Sequence, residues 1–185
     1  MMGSRAVGDM DMGTLVIYGS QYGTAKRYAE RFAEMTHLPI ASYEDAQTLS
    51  DYNRIVYFGA LYAGGVKGLK KTVRKMSNNT RLTIVTVGLA DVHDQGNVSN
   101  IMESIRKQVP ESLLKNASVF HLRGGIDYSK LSFMHRAMMN MVYRSLKNKS
   151  ADSLTQEDKT FIETYNGKVD FVDYDSLERI ASATR

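Results

Sequence analysis

No cysteine occurs among the 185 residues. That excludes a disulfide framework, a thiolate metal site, a cysteine nucleophile and a dithiol redox motif. Tryptophan is absent as well, and the four histidines are scattered without a His-x-x-x-His pair, so no metal site is read. No apolar run approaches the ~18 residues that a bilayer-spanning helix needs. Basic residues exceed acidic ones by 24 to 20, a net charge of +4, too weak a surplus to argue for nucleic acid. What remains is an ordinary globular chain, 43% hydrophobic and 24% charged, of a length that suits one domain.

Residues 1–12 carry glycine and serine but no apolar core of a signal peptide, and read as a disordered leader or expression remnant. Residues 13–185 read as a single domain. With no export signal, the expected compartment is the cytoplasm. From Gly13 the pattern turns periodic. Thr14–Tyr18, Pro39–Tyr43, Arg54–Gly59, Arg81–Val87 and Ala117–Arg123 are short β-branched and apolar runs. Between them, 24–35, 66–76 and 98–109 carry apolar residues at helical spacing, the last ended by Pro110. Strands alternating with helices at this interval imply βαβ units and a parallel sheet covered on both faces.

After the fifth strand the rhythm changes, and 124–170 reads as an added helix and loop segment. Ser129–Leu146 reads as one long, methionine-rich helix, with Leu131, Met134, Met138, Met141 and Val142 as its apolar face. No acidic residue lies between Asp127 and Asp152, whereas Lys130, Arg136, Arg144, Lys147 and Lys149 do. A basic amphipathic helix of this kind can simply pack on the sheet, or it can meet a membrane surface or an anionic substrate. Two short apolar stretches, 160–164 and 169–172, precede a terminal helix over 176–183.

The turn between the first strand and the first helix, Gly19-Ser20-Gln21-Tyr22-Gly23-Thr24-Ala25, carries the strongest functional signal. Backbone N–H groups converge there at a helix N-terminus, two hydroxyls add donors, and Gly23 permits close approach, all of which suits a phosphate. The triphosphate loop G-x-x-x-x-G-K-[ST] is absent, because Lys26 follows Ala25, and so is the dinucleotide G-x-G-x-x-G.

Gly-Ser-Gln-Tyr-Gly-Thr-Ala resembles the FMN phosphate loop of flavodoxins and of the FMN domains of diflavin reductases, with Tyr22 the one departure. The resemblance implies a flavodoxin-like doubly wound α/β fold, a five-stranded parallel sheet in the order 2-1-3-4-5, and FMN beyond the strand C-termini. It implies that Ser20, Gln21, Tyr22, Gly23, Thr24 and Ala25 wrap the 5′-phosphate. It places the ring between two loops. In Gly59–Gly65, Leu61, Tyr62, Ala63 and Gly64 face the flavin, Tyr62 as the aromatic and the Ala63–Gly64 peptide as the one that flips toward N5. In the other loop Gly88, Leu89, Ala90 and Asp91 resemble a Gly-x-Gly-Asp run along the ring edge, with Ala90 in place of the second glycine. No aromatic follows Asp91 closely, so one ring face is expected to be thinly covered or open. No catalytic acid or base is identified.

The basic charge departs from the acidic electron-carrier flavodoxins. Leu122-Arg-Gly-Gly-Ile-Asp-Tyr128, followed by the basic methionine helix, resembles the menaquinone-dependent protoporphyrinogen dehydrogenases in layout and around Gly124, Gly125, Tyr128 and Met138. That resemblance implies an oxidoreductase passing electrons from a bound, anionic small substrate to a quinone, with peripheral membrane contact through 129–149 on the inner face. The competing reading is an electron carrier between protein partners with no small substrate; a lower one is a protein that kept the fold and lost the flavin.

Overall fold

A computed structural model describes residues 12–184. The leader therefore lies outside the described residues except for Met12, where the first strand begins. In chain order the elements are β1 (Met12–Gly19), α1 (Thr24–Thr36), β2 (Ile40–Ser42), β3 (Tyr52–Tyr62), β4 (Gly65–Val66), α2 (Leu69–Val73), β5 (Arg81–Gly88), α3 (Gln95–Gln108), α4 (Glu111–Leu114) and β6 (Ser118–Arg123). Then come β7 (Gly125–Asp127), α5 (Phe133–Lys147), α6 (Gln156–Thr164), β8 (Lys168–Asp170) and α7 (Ser176–Ala183). Five strands pair in parallel in the order β2-β1-β3-β5-β6. This is the expected 2-1-3-4-5 winding, because β4 is only a short hairpin strand on the end of β3.

Alternation along the strands sorts side chains onto two faces. Leu15, Ile17, Ile55, Tyr57, Leu82 and Ile84 pack on one side with Leu69, Ile101 and Ile105 from α2 and α3. Val16, Val56, Phe58, Val85 and Val87 pack on the other with Tyr28 and Phe32 of α1 and Leu177 and Ile180 of α7. Burial on both faces explains why these strands read as continuous apolar runs. Element bounds shift where local chemistry overrides periodicity. The third helix starts at Gln95 rather than Val98, since the Asp94 side chain accepts the Asn97 N–H and caps it. The helix expected over 66–76 shrinks to Leu69–Val73, because Val66 pairs with Leu61.

The chain leaves the main sheet after β6, and β7 pairs antiparallel with β8 in a separate two-stranded sheet. The 128–167 excursion between them lies over the C-terminal edge of the sheet. Its helix is not continuous over 129–146. A 3₁₀ turn at Tyr128–Lys130 comes first, and α5 begins only at Phe133, where Ser132 accepts the His135 N–H. Tyr143 and Tyr165 stack with centroids 4.0 Å apart, joining α5 to the end of α6. A third apolar cluster, Ile126, Tyr128, Leu131 and Met139, takes in Tyr22, Leu89 and Phe161, and so packs the excursion against the site loops. The Tyr128 hydroxyl is buried there without a partner among the described residues, and burial raises its pKa.

In β6, His121 Nδ1 lies 2.7 Å from Thr86 Oγ1, and burial lowers its pKa. The folded chain thus takes up this proton less readily than the unfolded chain. The His121 contribution is fully present above the unfolded value of about 6.5 and is lost as pH falls below it. Denaturant titrations at pH 7.5 and pH 5.5 are expected to give lower stability at the acid pH, and His121→Asn is expected to narrow that gap.

Candidate functional site

The C-terminal ends of β1, β3, β5 and β6 open into one cavity of about 580 Å³, roofed by α5 and α6. Its volume falls in the range of roughly 300–1,000 Å³ common for small-molecule sites. Of the residues expected to bind, Ser20, Tyr22, Thr24, Ala25, Leu61, Tyr62, Ala63, Gly64, Gly88 and Leu89 line it. Gln21, Gly23, Ala90 and Asp91 do not line it, and each has a structural reason.

At one end stands the turn before α1. Gly23 is the helix N-cap at φ 92°, a left-handed conformation that glycine adopts without a Cβ penalty. Its N–H donates to Ser20 Oγ at 3.0 Å, which closes the turn and leaves the first-turn N–H groups of α1 without helical acceptors. The Thr24 hydroxyl is not aimed at a ligand; it donates to the Gly125 carbonyl at 2.8 Å, so Thr24 offers this end its backbone N–H. Gln21 turns away to Lys67 Nζ and to His135 Nε2, the latter at 3.4 Å, and lines a smaller neighbouring pocket. Tyr22 points up into the roof: its hydroxyl donates to Met139 Sδ at 3.1 Å, and its ring meets His135 edge-on at 6.0 Å. Burial first, then the nearby Tyr62, pushes the Tyr22 pKa up to about 12. Its side chain is therefore a roof contact, and only its backbone remains in the turn.

The middle of the cavity is walled by the β3–β4 hairpin. Leu61 and Tyr62 are strand residues rather than loop residues, because pairing with β4 carries β3 three residues past Gly59. Ala63 and Gly64 form the two-residue tip at φ 50° and φ 75°, the handedness of a type I′ hairpin turn. A left-handed alanine costs roughly 1–2 kcal/mol. Here α3 holds the tip, with Ser104 Oγ donating to the Gly64 carbonyl at 2.8 Å and the Val66 N–H donating to Gln108 Oε1 at 3.1 Å. The Tyr62 hydroxyl reaches Met138 Sδ at 3.2 Å, and Lys67 Nζ sits 5.8 Å from the Tyr62 ring centroid. The roof methionines thus meet both site tyrosines.

At the far end is the turn after β5. Arg123 donates from Nε and Nη2 to the Leu89 carbonyl at 3.1 and 2.9 Å, while its guanidinium lies 3.8 Å over the Phe171 ring. The Leu89 C=O and the Ala90 N–H belong to one planar trans peptide and point opposite ways. Arg123 therefore turns the Ala90 N–H toward the roof. Buried Asn97 holds the Asp91–Val92 peptide by donating to the Asp91 carbonyl at 2.9 Å. The Asp91 carboxylate folds back onto the His93 N–H at 2.9 Å and serves its own turn. The Leu89 and Ala90 N–H groups both donate to the Glu157 carboxylate of α6, each at 2.9 Å.

Sequence reasoning missed Arg123, Lys67, Glu157, Met139 and Phe161. They reach the site from segments distant in the chain from the loops they meet, and no spacing rule links Leu89 to a carboxylate 68 positions on. Among the described residues there is no cluster of three or more His, Asp or Glu residues able to hold a metal ion.

A parallel sheet with helices on both faces, a turn that presents helix N-terminal N–H groups after its first strand and paired N–H donors after a later one define a doubly wound α/β protein. Its ligand site lies at the switch point, and it suits an elongated ligand, anionic at one end and carrying carbonyl acceptors at the other. The chain belongs to the flavodoxin domain family, whose model matches residues 15–153, about three quarters of its length. No curated protein matches the chain. Solved structures similar to it include a flavoprotein in complex with FMN from Lactobacillus acidophilus, at 11% identity and TM-score 0.41, covering 60% of this chain and 92% of that one. Oxidised flavodoxin 1 from Bacillus cereus is similar at 11% identity and TM-score 0.40, covering 60% and 85%. An azoreductase from Bacillus anthracis is similar at 6% identity and TM-score 0.43, covering 60% and 86%. Membership rests on the family match and not on these three.

Proposed function

We propose that this protein is an FMN-dependent oxidoreductase that oxidises a small anionic substrate bound beneath the α5–α6 roof and passes the electrons to a quinone. The cofactor is FMN, which supplies the electron-accepting and electron-donating chemistry when bound. The chain fits it by donor chemistry. The Ser20 hydroxyl and the first-turn N–H groups of α1 hold the phosphate. Tyr62 stands against the ring, where aromatic stacking contributes about 0.5–1.5 kcal/mol beyond area burial. The Leu89 and Ala90 N–H groups meet the acceptors at the ring edge. Met138, Val142 and Phe161 exclude water and give a substrate an apolar wall.

The roof is the observation that carries this reading. A carrier that serves protein partners gains from an exposed ring, whereas α5 and α6 lie over the cavity and line it with Met138, Met139, Val142 and Phe161. The substrate this reading names is protoporphyrinogen, on the resemblance around Gly124, Gly125, Tyr128 and Met138. The test begins with colour: the purified protein is expected to be yellow, with FMN released on denaturation. Protoporphyrinogen is then expected to bleach the bound flavin, and a quinone to restore it. Bleaching only by a reductase protein, with no response to protoporphyrinogen, would leave the electron-carrier reading in its place.

The quinone is met at a membrane surface. No helix among the described residues is long and apolar enough to cross a membrane. The buried face of α5 is also not the one its periodicity indicates. Met139 and Leu146 are buried, whereas Phe133, Met134 and Met141 are 87%, 80% and 68% exposed. The helix is apolar on both sides, and its outer ridge is flanked by Lys130, Arg144, Lys147 and Lys149 with no acid from 128 to 151. Apolar side chains beside basic ones fit an anionic bilayer, each Lys or Arg near it adding about 1 kcal/mol. Binding to anionic vesicles is expected to exceed binding to neutral ones and to fall with salt. Phe133, Met134 and Met141 changed together to serine should remove that binding while FMN stays bound. Vesicle binding equal to the parent's would place the contact elsewhere.

A further inference from the structure

We infer that Glu157 is a built-in stand-in for the flavin ring edge, a gate on α6 that must leave the Leu89 and Ala90 N–H groups before the ring can seat. The inference rests on the FMN reading above. Two observations carry it. The first is the geometry of the donors: Arg123 fixes the Leu89–Ala90 peptide, and the Gly124 N–H, donating to the Gly88 carbonyl at 2.6 Å, fixes the Gly88–Leu89 peptide, so the Leu89 and Ala90 N–H groups converge beneath the roof. A converging pair of this kind needs an acceptor, since a buried unpaired N–H is costly. The second is the origin of the acceptor. Both carboxylate oxygens of Glu157 come within 2.9 Å of the pair, and the same carboxylate lies against Gly88. Two acceptor atoms side by side offer the donors what a ring nitrogen and its neighbouring carbonyl oxygen at the flavin's pyrimidine edge would offer.

The carrier of that carboxylate is suited to moving. α6 has no fully buried residue and is nine residues long. Its capping box, with Thr155 accepting the Asp158 N–H and Asp158 accepting the Thr155 N–H, keeps the helix intact without help from the sheet. Its side-chain link to the α3 side is a 3.4 Å contact from Gln156 to Asp94. Seating a ring edge exchanges one pair of acceptors for another and releases Glu157 to water. The cost of opening then reduces the apparent FMN affinity by the fraction of molecules that are open. Cofactor loading and roof position are coupled through this single side chain.

FMN titrated into flavin-free protein tests the coupling. Glu157→Ala removes the competing acceptor and is expected to tighten FMN about three- to tenfold, the factor by which the open fraction rises. Glu157→Gln keeps one carbonyl acceptor without the charge and should fall between. Hydrogen exchange gives a readout that needs no variant: in the parent, FMN is expected to speed exchange across 156–164 while the Leu89 and Ala90 amides stay protected. Should Glu157→Ala fail to fold, this exchange measurement decides. Unchanged or weaker FMN binding in a folded Glu157→Ala, or α6 exchange slowed by FMN, overturns the gate and leaves the FMN reading intact. Failure of parent and variants alike to bind FMN overturns both.

Discussion

Arg123→Met is expected to weaken FMN at least about tenfold and to lower unfolding stability by about 2 kcal/mol. The side chain makes two charge-assisted hydrogen bonds to the Leu89 carbonyl and lies on the Phe171 ring. Hydrogen bonds to charged groups contribute about 1.5–3 kcal/mol each when buried, and partial exposure here argues for the lower end. Methionine keeps the volume and removes both donors. The Leu89 peptide is then free to rotate, and the Ala90 N–H, locked opposite to the Leu89 carbonyl, loses its direction. Arg123→Lys should recover only part of the loss, since an ammonium cannot reproduce the planar fork. Titration of FMN and denaturant unfolding on the same samples separate the outcomes. Reduced stability with unchanged FMN affinity would mean that Arg123 serves the fold alone and that the ring edge does not rest on this turn.

Gly23→Val is expected to cost FMN about tenfold or more while leaving riboflavin affinity within about threefold. Gly23 sits at φ 92°, where a β-branched residue is a steric outlier. A left-handed L-residue costs roughly 1–2 kcal/mol, and the chain can relieve that strain by pulling the turn outward. Doing so breaks the Gly23 N–H bond to Ser20 Oγ and swings the first-turn N–H groups of α1 off their common target. Only a ligand with a phosphate feels that displacement, because riboflavin ends in a hydroxyl. Comparing the two dissociation constants therefore isolates the turn from the rest of the cavity. A parallel loss for both ligands would show that the turn shapes the site without holding the phosphate. Thr24→Ala is a less informative probe, since its hydroxyl already serves Gly125 and its loss acts on the junction with β7.

The features legible from the residues alone are those that neighbours in the chain determine. Doubly buried strands such as Ile55–Phe58 and Ile84–Val87 read as apolar runs because every side chain must face a helix layer. The turn from Ser20 to Ala25 is legible for the same reason: one glycine, the Ser20 and Thr24 hydroxyls and a helix start lie within six contiguous residues. Tertiary structure decided the rest. The orientation of α5 could not be read from periodicity, because Met139 and Leu146 on one side and Met134 and Met141 on the other are equally apolar. Which side is buried depends on where Tyr22 and Tyr62 stand. The strand that swallows Leu61 and Tyr62 depends on pairing with Gly65–Val66. Above all, the donors under the roof are set by Arg123 and answered by Glu157, which lie 34 and 68 positions from Leu89 in the chain. A hydrogen bond depends on distance in space and is indifferent to separation in sequence, so these partners become visible only once the sheet has brought them to one edge.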